Sequence, residues 1–173
     1  MLTRAGPIVP MLRIFDRALL LVTSVAVAGL TALMAVVVLI GVFARYVLND
    51  ALPWPEELAR YTMIWLSWLG GGLALRRGAH IAVEFVIDAM PQRLRAATVF
   101  AGRIGILLFL GICLVYGLQH VGRVSMQTTV ALGVSMQIPY LAAPIGSALM
   151  VYHLLILMFV PSLDEARKTE LQV

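Results

Sequence analysis

Charge is what this chain has least of, at 13% of its 173 residues, where a soluble domain carries about 25%. With 61% hydrophobic residues and a mean hydropathy of +0.95, that scarcity excludes an ordinary water-soluble domain and leaves a membrane protein. A lone cysteine, Cys113, excludes an internal disulfide and a multi-cysteine metal cluster. Its ordinary role is that of a small apolar helix residue. The net charge of +4 does not mark a nucleic-acid binder, because no basic patch is interleaved with aromatics in a polar region. No phosphate loop, nucleophile elbow, HExxH helix or pair of aspartates occurs, so no enzyme chemistry and no cofactor is indicated. Deep polar groups are few (Thr23, Ser24, Thr31, Ser67, Ser147 and His153), and repeated halves are absent. That argues against a transporter acting alone.

What the chain does have is apolar length. Against the roughly 20 residues that a bilayer helix needs, four spans are expected near 18–43, 58–75, 102–122 and 139–160. The uncharged run from Val124 to Leu163 is too long for one span, and Gly133 and Pro139 divide it into a surface or re-entrant lead-in and a last helix. Arg4, Arg13 and Arg17 ahead of the first run, with Ala26-Val27-Ala28 inside it, imitate a secretory signal. The run continues to Phe43, beyond a signal peptide's apolar stretch, so an uncleaved anchor is expected. Ten basic residues then collect on the side of both termini, against Arg45, Arg60 and Arg123 on the other. By the positive-inside rule the termini are cytoplasmic. The expected fold is an all-α membrane protein of four transmembrane helices plus a cytoplasmic amphipathic interfacial helix. Residues 1–17 form a cytoplasmic N-terminus, 18–163 one membrane domain, and 164–173 a cytoplasmic tail.

Most of the remaining information lies between Phe43 and Arg95, which holds all three tryptophans and several of the acids. Trp54-Pro55-Glu56-Glu57 makes a good helix start: proline suits the first turn, and the two acids sit at the positive end of the helix dipole. Glu56 precedes Arg60 by four residues, the favourable order for an ion pair. The same acids also read as an outward rim that contacts a partner protein. Tyr61, Trp65 and Trp68 share one narrow arc at about 100° per residue, with Ser67, Gly70, Gly71 and Ala74 roughly opposite. The small face suits close helix contact in lipid, within this chain or with another. After Arg76 and Arg77, the residues His80, Glu84, Asp88, Gln92 and Arg95 form a polar stripe at near-helical spacing. A helix lying on the cytoplasmic membrane surface fits that pattern, with Pro91 ending or kinking it.

The histidines raise an alternative, a haem- or quinone-associated membrane anchor subunit of a redox complex. Two axial imidazoles need matching depth on different helices. His120 lies near the outward end of its span, His80 is cytoplasmic, and His153 is fourteen residues beyond Pro139, about 20 Å deeper at 1.5 Å per residue. No pair matches in depth. A stand-alone four-helix protein with its own small-solute activity is a third reading.

The strings RYVLNDALPWPEELARY and WLSWLGGGLALRRGAHIAVEF, followed by a proline and arginine, together resemble the small permease subunit of tripartite ATP-independent periplasmic (TRAP) transporters, the DctQ-like family. PYLAAPIGSALMVYHLL is similar to that family's last helix. The resemblance runs from about Arg13 to Val160 and is strongest from Arg45 to Val83. It implies a four-span scaffold subunit in the bacterial inner membrane, with membrane lipid around it. Its partners would be a large permease that carries the substrate and sodium sites and a periplasmic binding protein that delivers an organic acid. Arg45, Trp54, Glu56, Glu57, Arg60, Gly70, Arg76, His80 and Ile81 occupy the motif positions, and Trp65, Trp68 and Gly71 lie among them. The resemblance gives these residues assembly roles and no catalytic, cofactor or metal role.

Overall fold

The computed structural model describes residues 8–76 and 91–159. Among the described residues there are four long helices and one short one: α1 (Ile8–Tyr46), α2 (Trp54–Arg76), α3 (Gln92–Arg123), α4 (Gln137–Tyr140) and α5 (Ala142–Phe159). Among the described residues the nearest thing to a strand is a single bridge between Thr128 and Ser135. The expected interfacial helix lies mostly at 77–90, outside the described residues.

Each helix boundary has a local cause. In α1 the hydroxyls of Thr23 and Thr31 donate back to the carbonyls of Leu19 and Val27, so their polarity is absorbed within the helix. Asn49 ends α1 in the left-handed conformation at φ 52°, while the Asp50 N–H donates to the Ala44 carbonyl and closes the last turn. Pro55 sits in the first turn of α2, where no helical N–H is lost. Pro91, extended at φ −55° and ψ 143°, stands directly before α3. Only Leu141 separates α4 from α5, and its helical φ and ψ let the backbone ladder run through. α1 has 39 residues, or roughly 58 Å at 1.5 Å per residue, well beyond the ~30 Å hydrocarbon core.

Among the described residues, three stretches are long and apolar enough to cross a membrane: Ile14–Tyr46, Ala97–Arg123 and Gln137–Met158. α2, with 23 residues, has the length but is diluted by glycine, serine, tryptophan and charge. It compensates by position: α1 packs against α2, α2 against α5, and α5 against α3. Both loops at one end, 47–53 and 124–136, flank the start of α2, and the opposite end brings Asp16 of α1 to Arg76 of α2.

Apolar surface gains little by leaving lipid, so these contacts depend on shape. Gly146 of α5 approaches α2 so closely that a Cβ there would lie 2.6 Å from Trp68 Cβ and 3.2 Å from its carbonyl carbon. A Cβ on Gly71 would meet Met150 at 2.6 Å, and one on Gly117 would lie 3.1 Å from Pro144 of α5. The aromatic arc of α2 therefore faces α5. Of the four small residues opposite it, three take no part in the internal contact: Ser67 and Ala74 are exposed, and a Cβ at Gly70 would meet nothing within 4 Å. Gly71, expected opposite the arc, is the exception: with Gly72 it faces Met150 of α5.

Gly146→Val should lower the stability of the detergent-solubilised chain by roughly 1–3 kcal/mol, the cost of overpacking. Gly70→Val should leave its thermal midpoint nearly unchanged. Melting both variants on a size-exclusion readout checks the pair.

Candidate assembly site

Glu57 is the best-connected side chain at the loop end of the bundle. It stands in the first turn of α2, and its carboxylate reaches across to the segment between α3 and α4. Oε2 accepts from the N–H groups of Ala131 at 2.7 Å and Leu132 at 2.9 Å, and Oε1 accepts from Val130 N–H at 3.1 Å and Tyr61 OH at 2.8 Å. Three successive amides around one carboxylate form an anion-binding nest. The nest is shaped by its own chain. Thr129 N–H donates to the Val134 carbonyl, Val134 N–H donates to Thr129 Oγ1, and Gly133 turns at φ 66°, where a side chain would be strained. Burial pushes the Glu57 carboxyl up, but the hydrogen bonds from Tyr61, Leu132, Ala131 and Val130 outweigh it and hold the group below the usual carboxylate range.

Its neighbour acts differently. Glu56 pairs with Arg45 at the end of α1, not with Arg60 one turn along its own helix. The helical spacing favoured Arg60, but the α1–α2 turn delivers Arg45 to the same carboxylate. Both members of the pair are about half exposed or more, so it adds little to stability. Arg60 is exposed, and among the described residues it makes no ion pair.

The aromatic residues continue the connection to the loop. Trp54 opens α2 half-buried; Trp65 Nε1 donates to the Ile138 carbonyl at 3.2 Å; Tyr61 OH also lies 3.8 Å from Met136 Sδ; Trp68 packs on Gly146. His80 and Ile81 lie outside the described residues. The two described histidines sit apart. His120, exposed near the end of α3, meets Tyr140 edge to face at 4.5 Å, whereas His153 is fully buried in α5.

At the opposite end, Arg76 is buried and donates to Asp16 Oδ2 at 2.5 Å, with 2% and 8% of their side chains exposed. Phe15 and Tyr152 close over this region with ring centroids 5.8 Å apart. Asp16 was absent from the expected set, because it fell in the stretch read as a cytoplasmic N-terminus. The signal was available: it is the only acid before Asp50, flanked by Arg13 and Arg17 at the threshold of an apolar run. An acid in that place asks for a partner.

A family model described as tripartite ATP-independent periplasmic transporters, DctQ component, matches residues 34–162. The chain belongs to that family. Its DctQ-like stretch includes every motif position from Arg45 to Ile81, the nest at 130–132 and all of α5; Asp16 lies outside it. The chain is 31% identical over 109 residues to the sialic acid TRAP transporter small permease protein SiaQ of Vibrio cholerae, covering 63% of each. It is 28% identical over 110 residues to the C4-dicarboxylate TRAP transporter small permease protein DctQ of Rhodobacter capsulatus, covering 62% of this chain and 48% of that one. It is also similar, at 23% identity over 65% of its length, to 18% of the sialic acid TRAP transporter permease protein SiaT of Haemophilus influenzae. The chain thus spans less than two thirds of the length of these relatives. A DctQ-family chain with three strongly apolar helices is a multi-pass membrane protein of a transporter family rather than of an enzyme class.

Two outcomes follow from the geometry. Replacing Asp16 with Asn removes the charge that joins α1 to the buried Arg76 guanidinium and should destabilise the chain, measured as a lower thermal midpoint. Glu57→Gln should accelerate amide exchange at Val130, Ala131 and Leu132 at neutral pH, whereas Glu56→Gln should not. Because the folded pKa of Glu57 is depressed, its anchoring is complete above the unfolded value of about 4.3 and fades as pH falls through the lower folded value. The wild type and Glu57→Gln should therefore converge in strong acid and differ most near neutrality.

Proposed function

We propose that this chain is the small membrane subunit of a TRAP transporter in a bacterial inner membrane. In this reading it crosses four times, with α2 as the fourth crossing and both termini in the cytoplasm. It serves as scaffold beside a large permease during sodium-driven uptake of an organic acid delivered by a periplasmic binding protein. The observation that carries the reading is the DctQ-family match across residues 34–162, which takes in the whole ordered motif. The names of the relatives support it: SiaQ and DctQ are small permease proteins, and SiaT carries the similar stretch within a much longer permease protein. The redox-anchor alternative gains nothing from these comparisons.

The fold adds a candidate contact for the large partner. With α1 and α5 occupying two sides of α2, the strip of Met63, Ser67, Gly70 and Ala74 is left open. Small residues in such a strip allow a foreign helix to approach closely. The internal contact of α2 does not need them.

Co-expression with a large TRAP permease from the same genome should give a complex that co-purifies in detergent. Gly70→Leu should reduce the recovered large subunit several-fold while leaving the isolated small subunit folded. Uptake that persists after deletion of this chain, together with no association with any large TRAP permease, would refute the reading.

A further inference from the structure

The hairpin at 124–136, between α3 and α4, holds two large apolar side chains almost fully in the open. Met126 is 95% exposed and Val130 96%, the highest values among the exposed large hydrophobic residues described. The backbone beneath them is well tied. Thr128 and Ser135 form a bridge, and on either side of it Thr129 N–H donates to the Val134 carbonyl and Met136 N–H to that of Gln127. Gln127 N–H donates to the Val124 carbonyl, Gly133 N–H to that of Thr129, and Val130 is the first of the three amides held by Glu57. Most of the hairpin's N–H groups are thus satisfied by the protein itself, as a non-helical segment requires where water is scarce. The hairpin also carries no charge, since no Asp, Glu, Lys or Arg occurs between Arg123 and Asp164.

We infer that this hairpin lies in the boundary of the membrane leaflet, with the side chains of Met126 and Val130 inserted among the lipids. Its level is set from both sides. The apolar span Ala97–Arg123 ends directly before it, and the span Gln137–Met158 begins directly after it. Glu57 then keeps it within hydrogen-bond reach of the first turn of α2, so it cannot stand far out in water. Tyr46 at the end of α1, Trp54 at the start of α2 and Tyr140 in α4 belong to the same end of the bundle, and such amphipathic rings favour the bilayer boundary. The apolar surface also continues into lipid: Val134, Ile138 and Tyr140 are exposed along the path from the hairpin into the last span. A contact with a soluble protein is ringed by polar, solvent-facing groups, whereas this surface runs on into a membrane-spanning helix. The inference rests on the chain's being a membrane protein and is independent of its transport partners.

Spin labelling of the full chain in phosphatidylcholine vesicles tests it. Cys113→Ala removes the single cysteine, and a nitroxide is then attached at Met126→Cys or Val130→Cys. Leu108→Cys, exposed in α3, serves as the lipid reference, and Asp50→Cys, exposed in the loop after α1, as the water reference. At both hairpin positions the ratio of collisions with molecular oxygen to collisions with a water-soluble nickel chelate should match Leu108 and exceed Asp50 several-fold. A ratio at both positions equal to that at Asp50, in labelled chains that keep the wild-type thermal midpoint, would overturn the inference. The hairpin would then be a water-facing surface, open to a soluble protein.

Discussion

Two helices already surrounded by hydrocarbon gain little from hiding apolar surface in each other, so α2 and α5 hold together by fit. Their contact is the constraint on which the remaining helices depend. α1 is attached through α2, and α3 through α5. Gly146 against Trp68 lets the two axes approach, and Met150 fills the space over Gly71. Widening this contact would shift both outer helices at once.

Polar groups then lock the two ends of the central pair. At the loop end, one carboxylate collects three backbone amides that would otherwise face the membrane boundary unpaired. The segment joining α3 to α5 is thereby tied to the first turn of α2, which fixes where α5 can begin. At the other end, a buried guanidinium and carboxylate join α1 to α2. Polar groups kept from water hold such links more strictly than surface pairs do. The exposed Arg45–Glu56 pair is the weak counterpart, and its function is better sought in charge than in stability.

The helical class and the long apolar segments were legible because hydropathy acts over twenty residues at a time and tolerates local error. The division of the last apolar run was legible from Gly133 and Pro139, which proved to lie in a turn and in the short helix before α5. The family was legible from the order of Trp54, the acids, the glycines and the arginines. Which face of α2 meets α5 was not, because small residues permit close approach without requiring it. Tyr61, Trp65 and Trp68 hold that face through partners distant in sequence: Met136 Sδ for the hydroxyl, the Ile138 carbonyl for the indole N–H, and Gly146 of α5 for the Trp68 ring. The role of Glu57 was hidden for a related reason. Backbone amides carry no sequence signature, so a nest made by Val130, Ala131 and Leu132 looks like an apolar run.

Among the described residues the long helices touch in the order α1, α2, α5, α3, a row rather than a ring. In the proposed reading such a row is a partition beside a larger partner rather than a conduit. What it can do is act as a wall. Set beside a moving body in the plane of the bilayer, a wide partition one helix thick adds breadth and resists tilting. In the proposed transporter the aqueous path would be lined by the larger partner.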